Sequence, residues 1–157
     1  MPMRAPAACR GFTLVELVVV VTIIAFGAIA ALPSLSGAMR IQRVRAATTD
    51  LTSALLMARS EAIKRASQVQ VTPRTGLDWT TGWRVTGVTA GDQIDRKDAL
   101  GDTLQVTRAP GAIVYDRTGR LTVPGLVRIQ LSDGGPTLRC VTIDPSGLPR
   151  LSTGACP

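Results

Sequence analysis

Histidine is absent from this chain of 157 residues. The commonest general base and the commonest neutral metal ligand are therefore missing. No Gly-x-Ser-x-Gly elbow occurs, and Thr75-Gly76, Thr81-Gly82 and Thr118-Gly119 are isolated turn dipeptides rather than a phosphate loop. Aromatic residues are scarce too, with two Phe, two Trp and one Tyr. So few leave little for a base-stacking platform of the single-strand-binding kind. The three cysteines include no Cys-x-x-Cys, which with no histidine disfavours zinc. Asp92, Asp95, Asp98 and Asp102 crowd one stretch, yet their spacing is not that of an EF-hand and no downstream glutamate completes a calcium loop. The reading is non-enzymatic, with no cofactor and no metal.

What the sequence does have is a long apolar run. Arg10-Gly11-Phe12-Thr13-Leu14-Val15-Glu16-Leu17 opens it, and it continues to Leu32 with only Thr13, Glu16 and Thr22 polar. As a helix, Phe12 to Leu32 would span roughly 30 Å, the thickness of a bilayer core. Glu16 is the anomaly, because a carboxylate near hydrocarbon costs on the order of 3 kcal/mol and calls for a partner or a function. It lies four residues after Phe12, one turn away on the same face.

This arrangement resembles the class III signal of type IV pilins and type II secretion pseudopilins. The resemblance implies cleavage by prepilin peptidase between Gly11 and Phe12, N-methylation of Phe12, and a role for Glu16 in docking subunits into a filament. The competing reading is an ordinary secretory signal. Arg4 and Arg10 would then be the basic region, Leu17 to Ile24 the apolar core, and Ala28-Ile29-Ala30 the cleavage site, giving a mature start near Ala31.

The segment Ala58-Arg59-Ser60-Glu61-Ala62-Ile63 narrows the resemblance to the GspH/FimT branch of minor pilins and pseudopilins. That branch implies a single pass through the inner membrane with the globular part in the periplasm, followed by entry into a pilus or pseudopilus beside other pilins. The positive-inside rule gives no orientation of its own, since Arg4 and Arg10 precede the run and Arg40, Arg43 and Arg45 follow it. Cys9 would leave with the leader. Outside the cytoplasm Cys140 and Cys156 are then expected to pair, closing a loop of about 16 residues.

Net charge is +7, and loss of residues 1–11 removes Arg4 and Arg10 to leave 16 basic and 11 acidic residues, or +5. A basic surface attracts anionic partners. Some competence-associated members of the branch bind DNA through Gly-Arg-x-Arg near the C-terminus. The matching stretch here is Gly147-Leu148-Pro149-Arg150, in which the final arginine alone agrees. Arg150, Arg139, Arg120 and Arg117 are the candidate DNA contacts, and weak contact is what they imply. Solvated strand-face arginines are the plainer reading. The alternatives to a pilus-assembly subunit are thus a DNA-uptake pilin and a type II secretion pseudopilin.

Along the chain, residues 1–11 read as a leader and 12–33 as a membrane-spanning, filament-core helix, with a kink expected at Pro33. An amphipathic continuation follows over 34–67. Its apolar stripe is Val44, Ala47, Leu51, Ala54, Leu55, Ala58 and Ala62, with Arg59 and Glu61 expected to face solvent or neighbours. Residues 68–157 read as an antiparallel β domain. Strands are expected at Val69–Thr72, Gly82–Val88, Thr103–Arg108, Ile113–Tyr115, Leu121–Val123, Val127–Leu131, Leu138–Asp144 and near Arg150–Ser152, and Gly87–Gly101 as a mobile loop. The fold class is α+β, a long N-terminal helix packed by its second half on an antiparallel sheet and closed by a C-terminal disulfide loop.

Overall fold

The computed structural model describes residues 12–89 and 91–157, with the backbone alone over 29–35. Gly11, the leader and the Pro33 side chain lie outside the described residues, and with them the expected cut and kink. One helix, α1, runs from Leu14 to Arg65. Thr13 caps it, its Oγ1 accepting the Glu16 N–H at 3.2 Å. At the other end Ala66 takes a left-handed φ of 49°. There the Ser67 N–H donates to Ala62 O and the Ala66 N–H to Ile63 O, a Schellman closure that satisfies the last carbonyls.

Residues up to Ala38 and residues from Met39 onward form separate units. In the first, Phe12, Leu14, Val15, Leu17, Val18 and Phe26 are among the apolar side chains left exposed. Thr22 bonds back to the Val18 carbonyl at 2.7 Å, so its hydroxyl is satisfied within the helix. Among the described residues no helix is long and apolar enough to cross a membrane.

In the second unit the stripe from Val44 to Ala62 is buried as the periodicity predicts. It shares one core with residues of both sheets, among them Val71, Trp83, Val85, Ile113, Tyr115, Ile129 and Val141. Small Ala54, Ala58 and Ala62 admit close approach of the strands, while the Leu51 and Leu55 side chains are wholly buried. Burying such a leucine contributes roughly 2 kcal/mol.

Among the described residues eight strands follow: β1 (Val69–Thr75), β2 (Asp78–Gly87), β3 (Gln93–Lys97), β4 (Gln105–Thr107), β5 (Ile113–Tyr115), β6 (Val127–Ser132), β7 (Leu138–Ile143) and β8 (Pro149–Thr153). They make two four-stranded antiparallel sheets rather than one, in the orders β3-β2-β1-β5 and β4-β6-β7-β8. The expected strand at Leu121–Val123 is reduced to a single bridge from Leu121 to Tyr115, because Pro124 and Gly125 end it at once. The expected mobile loop at Gly87–Gly101 contains β3, paired to β2. That strand packs Ile94 against the core and is tied to α1 by charge: Lys97 Nζ meets Asp50 Oδ2 at 2.6 Å. Just before β3, Asp92 Oδ2 takes Arg65 Nη1 at 2.6 Å.

Candidate functional site

The N-terminal candidates divide at Gly11. Phe12 and Glu16 are exposed. Thr13-x-x-Glu16 has the spacing of a capping box. One half of that box, Thr13 Oγ1 with the Glu16 N–H, is formed. The Glu16 carboxylate itself has no partner among the described residues.

At the end of α1, Glu61 takes Lys64 Nζ at 3.2 Å and Arg65 Nε at 2.7 Å. The Arg65 hydrogen bond, then that of Lys64, lowers the Glu61 pKa below the ordinary carboxylate value. Asp92, and after it Glu61, raises that of Arg65. Arg59, expected to face solvent or neighbouring subunits, is half-buried and also bonded within the chain. Its Nε–H donates to the Gly119 carbonyl at 3.0 Å, because the turn holding Gly119 is folded down onto the helix beside Ile63.

That turn has a twin. In Asp116-Arg117-Thr118-Gly119, Asp116 Oδ1 accepts the Thr118 N–H at 2.8 Å and its hydroxyl at 2.6 Å. In Asp144-Pro145-Ser146-Gly147, Asp144 Oδ1 accepts the Ser146 N–H at 2.9 Å and the Ser146 hydroxyl. Both glycine N–H groups close the turn on the aspartate carbonyl at 2.8 Å, and both glycines have positive φ, 77° and 84°. Hydrogen bonds led by the Thr118 and Ser146 side chains hold both carboxyls below their ordinary pKa. The two turns abut, since a Cβ on Gly147 would collide with the Gly119 carbonyl oxygen. The sequence repeat Asp-x-(Thr/Ser)-Gly was the available signal for this lock. Beneath it the Tyr115 hydroxyl is buried without a partner among the described residues, and burial raises its pKa.

The C-terminal tail is fixed as the cysteine pair predicts. Cys140 and Cys156 form a disulfide with a Cα–Cα distance of 5.1 Å. The Cys156 N–H also donates to Gln130 Oε1 at 3.2 Å, and Arg108 Nη1 donates to the Cys156 carbonyl at 3.3 Å.

The four candidate DNA contacts do not form one face. Arg117 and Arg120 are exposed on the first turn, and Arg150 is exposed on β8 beyond the second, where Nε approaches Asp144 Oδ2 at 3.8 Å. Arg150 is opposite Thr142 in the β7–β8 register, and Arg139 is opposite Thr153. Side chains alternate along β7, so Arg139 lies on the face of Val141 and Ile143, opposite to that of Arg150. Of the four acids from Asp92 to Asp102, two are engaged by arginine: Asp92 by Arg65, and Asp98 by Arg74 and Arg96. Among the described residues no group of three metal-ligating side chains converges.

A capped N-terminal helix with an exposed apolar start, a core-packed second part and a disulfide-closed pair of antiparallel sheets defines a pilin-like fold. Residues 47–147 match the family of the type II transport protein GspH, and residues 6–32 match the prokaryotic N-terminal methylation motif. The chain belongs to this GspH-like family of pilin-related proteins. Its fold is similar to that of the type IV minor pilin FimU of Pseudomonas aeruginosa in two crystal forms. The first has a TM-score of 0.61 and 21% identity, covering 73% of this chain and 90% of FimU. The second has a TM-score of 0.57 and 23% identity, covering 71% and 92%. At such identity the likeness concerns the fold. No curated protein sequence matches this chain.

Proposed function

We propose that the chain is a minor structural subunit of a type IV pilus or related pseudopilus, acting in filament assembly or priming. Prepilin peptidase cuts between Gly11 and Phe12 and methylates Phe12, and the apolar start of α1 anchors the subunit in the inner membrane before it enters the filament core. The domain lies in the periplasm, where the Cys140–Cys156 bridge is stable. The observation that carries this reading is the coincidence of two features on one segment: the methylation-motif match over residues 6–32 and a helix start that leaves Phe12, Leu14, Val15 and Leu17 exposed. An apolar stripe that long requires cover, and lipid first and neighbouring helices later supply it.

Glu16 is assigned to docking, pairing with the methylated ammonium of Phe12 on a neighbour. Glu16→Ala tests this in cells that assemble the filament. The variant should accumulate in the membrane fraction, cut normally, and fall at least tenfold in the sheared filament fraction. Unchanged incorporation would leave Glu16 an acid in the first turn of the helix and no more.

A further inference from the structure

A basic cluster absent from the sequence reading lies on the outward face of the first sheet. On β1, Val69 and Val71 are buried, which turns Gln70, Thr72 and Arg74 outward; on β2, Val85 is buried and Arg84 and Thr86 face out. The register aligns Thr72, Arg84 and Arg96 across β1, β2 and β3. Arg84 and Arg96 are therefore direct cross-strand neighbours, about 5 Å apart at the backbone, an arrangement that costs stability through like-charge repulsion. Both are exposed, and neither is needed to fill the core.

The cluster already holds a carboxylate. Asp98 Oδ1 accepts Arg74 Nη1 at 2.8 Å and approaches Arg96 Nε at 3.7 Å. Arg84 donates its Nη2 to the Arg74 carbonyl. One acid against three guanidinium groups leaves an excess of two positive charges. The backbone at Asp98 is held against Gly82, but its side chain is 75% exposed and is free to give up the arginines to a competing carboxylate. Beside Arg84 a cleft of about 340 Å³ is lined in part by Gln70, Thr72, Arg84 and Thr86. Those side chains offer amide and hydroxyl donors next to the charge, and none offers an aromatic face for a nucleobase.

We infer that this face is a docking surface for an acidic segment of a partner protein, whose carboxylates take the position that Asp98 occupies. The planar fork of arginine suits a carboxylate acceptor. Asp98 is the intramolecular stand-in that keeps the cluster satisfied until the partner arrives. This surface is independent of the filament reading: it requires neither cleavage at Gly11 nor the Glu16 contact.

The test uses the full chain in non-ionic detergent, with a fluorescent 20-residue poly-glutamate peptide as the probe and anisotropy as the readout. Arg84→Glu with Arg96→Glu should weaken binding at least tenfold. Arg43→Glu with Arg45→Glu, an equal change of charge on α1, should stay within twofold. Asp98→Asn is the sharper variant, since removing the competing carboxylate should tighten peptide binding severalfold. It also keeps the test decisive if the double reversal disturbs the sheet. Equal losses in the two double variants, or no tightening with Asp98→Asn, would overturn the proposal. Tighter retention of a 20-base-pair duplex than of the peptide at the same salt would reassign the face to nucleic acid and overturn it as well.

Discussion

Arg59 and Gly119 lie 60 residues apart in sequence, and the Arg59 Nε–H donates to the Gly119 carbonyl oxygen at 3.0 Å. The same carbonyl packs against Gly147. One backbone oxygen thus joins the helix, the first Asx turn and the second. Arg59→Met keeps most of the side-chain stem but removes the donor, leaving a partly buried acceptor unsatisfied. The expected loss of stability is about 1–2 kcal/mol, read as a lower denaturation midpoint with unchanged slope. A midpoint within error of the parent would show that water replaces Arg59 at no cost.

Gly147 and Gly134 separate backbone strain from crowding. Both have positive φ, 84° and 76°, but a Cβ on Gly134 would meet nothing closer than Gln105 Nε2 at 3.5 Å. Gly134→Ala should cost about 1 kcal/mol through the left-handed conformation alone. Gly147→Ala should cost more, by roughly 1–3 kcal/mol, because the Gly119 turn must move aside. Equal costs at the two positions would contradict the abutting-turn arrangement.

The depressed carboxyls of Asp116 and Asp144 set an acid limit. Their folded pKa values lie below the unfolded value of about 3.9, so their contribution is fully present above that value and lost as pH falls through the depressed ones. Glu61 and Asp78 shift in the same direction, Asp78 through its hydrogen bonds from Thr80. Asp116→Asn with Asp144→Asn should flatten the fall of stability below about pH 4. Unfolding monitored across acid pH checks it, and an unaltered slope would assign the acid sensitivity elsewhere.

Tyr115 sets the alkaline limit. It is the one tyrosine in the chain, so phenolate absorbance reports it directly. Burial raises its folded pKa above the ordinary value of about 10. A raised folded pKa contributes stability fully below the unfolded pKa, and that contribution is lost as pH rises toward the folded one. Phenolate absorbance should remain low through pH 10–11 and then rise together with loss of helix. Titration near pH 10 in a folded chain would place Tyr115 in water.

Local patterns account for what was legible from residues alone. Every position of the stripe from Val44 to Ala62 is buried because a 3.6-residue period admits one inward face. Strands with Val and Ile recurring at a period of two, such as β1, β6 and β7, were visible by that alternation. By contrast β3, Gln-Ile-Asp-Arg-Lys, carries charge on the side facing α1 and has no alternating apolar signal. Its docking through Asp50 and Arg65 depends on tertiary contacts. Division into two sheets is likewise a matter of long-range pairing. Arg59 read as a solvent-facing residue because a guanidinium in a helix usually is one; its partner is a backbone carbonyl, which leaves no mark in composition. The arginine row at 84 and 96 emerges only once the β2–β3 register is known.

The Cys140–Cys156 bridge closes 16 residues of sequence around β8. Cys140→Ser should lower stability by roughly 3 kcal/mol in the chain-entropy model. If the chain is cut after Gly11 and exported as proposed, Cys9 is removed, and protein purified without reductant should titrate no free thiol. Two reactive thiols per chain would contradict the bridge.

The intact mass of the mature chain tests the central claim most directly. Protein recovered from the membrane of cells carrying a prepilin peptidase should lack residues 1–11, begin at Phe12, and carry the added mass of one methyl group on that residue. Gly11→Val should abolish the cut and leave the full-length mass. A mature chain beginning near Ala31, or normal processing of Gly11→Val, would contradict the account and make the apolar run an ordinary secretion signal.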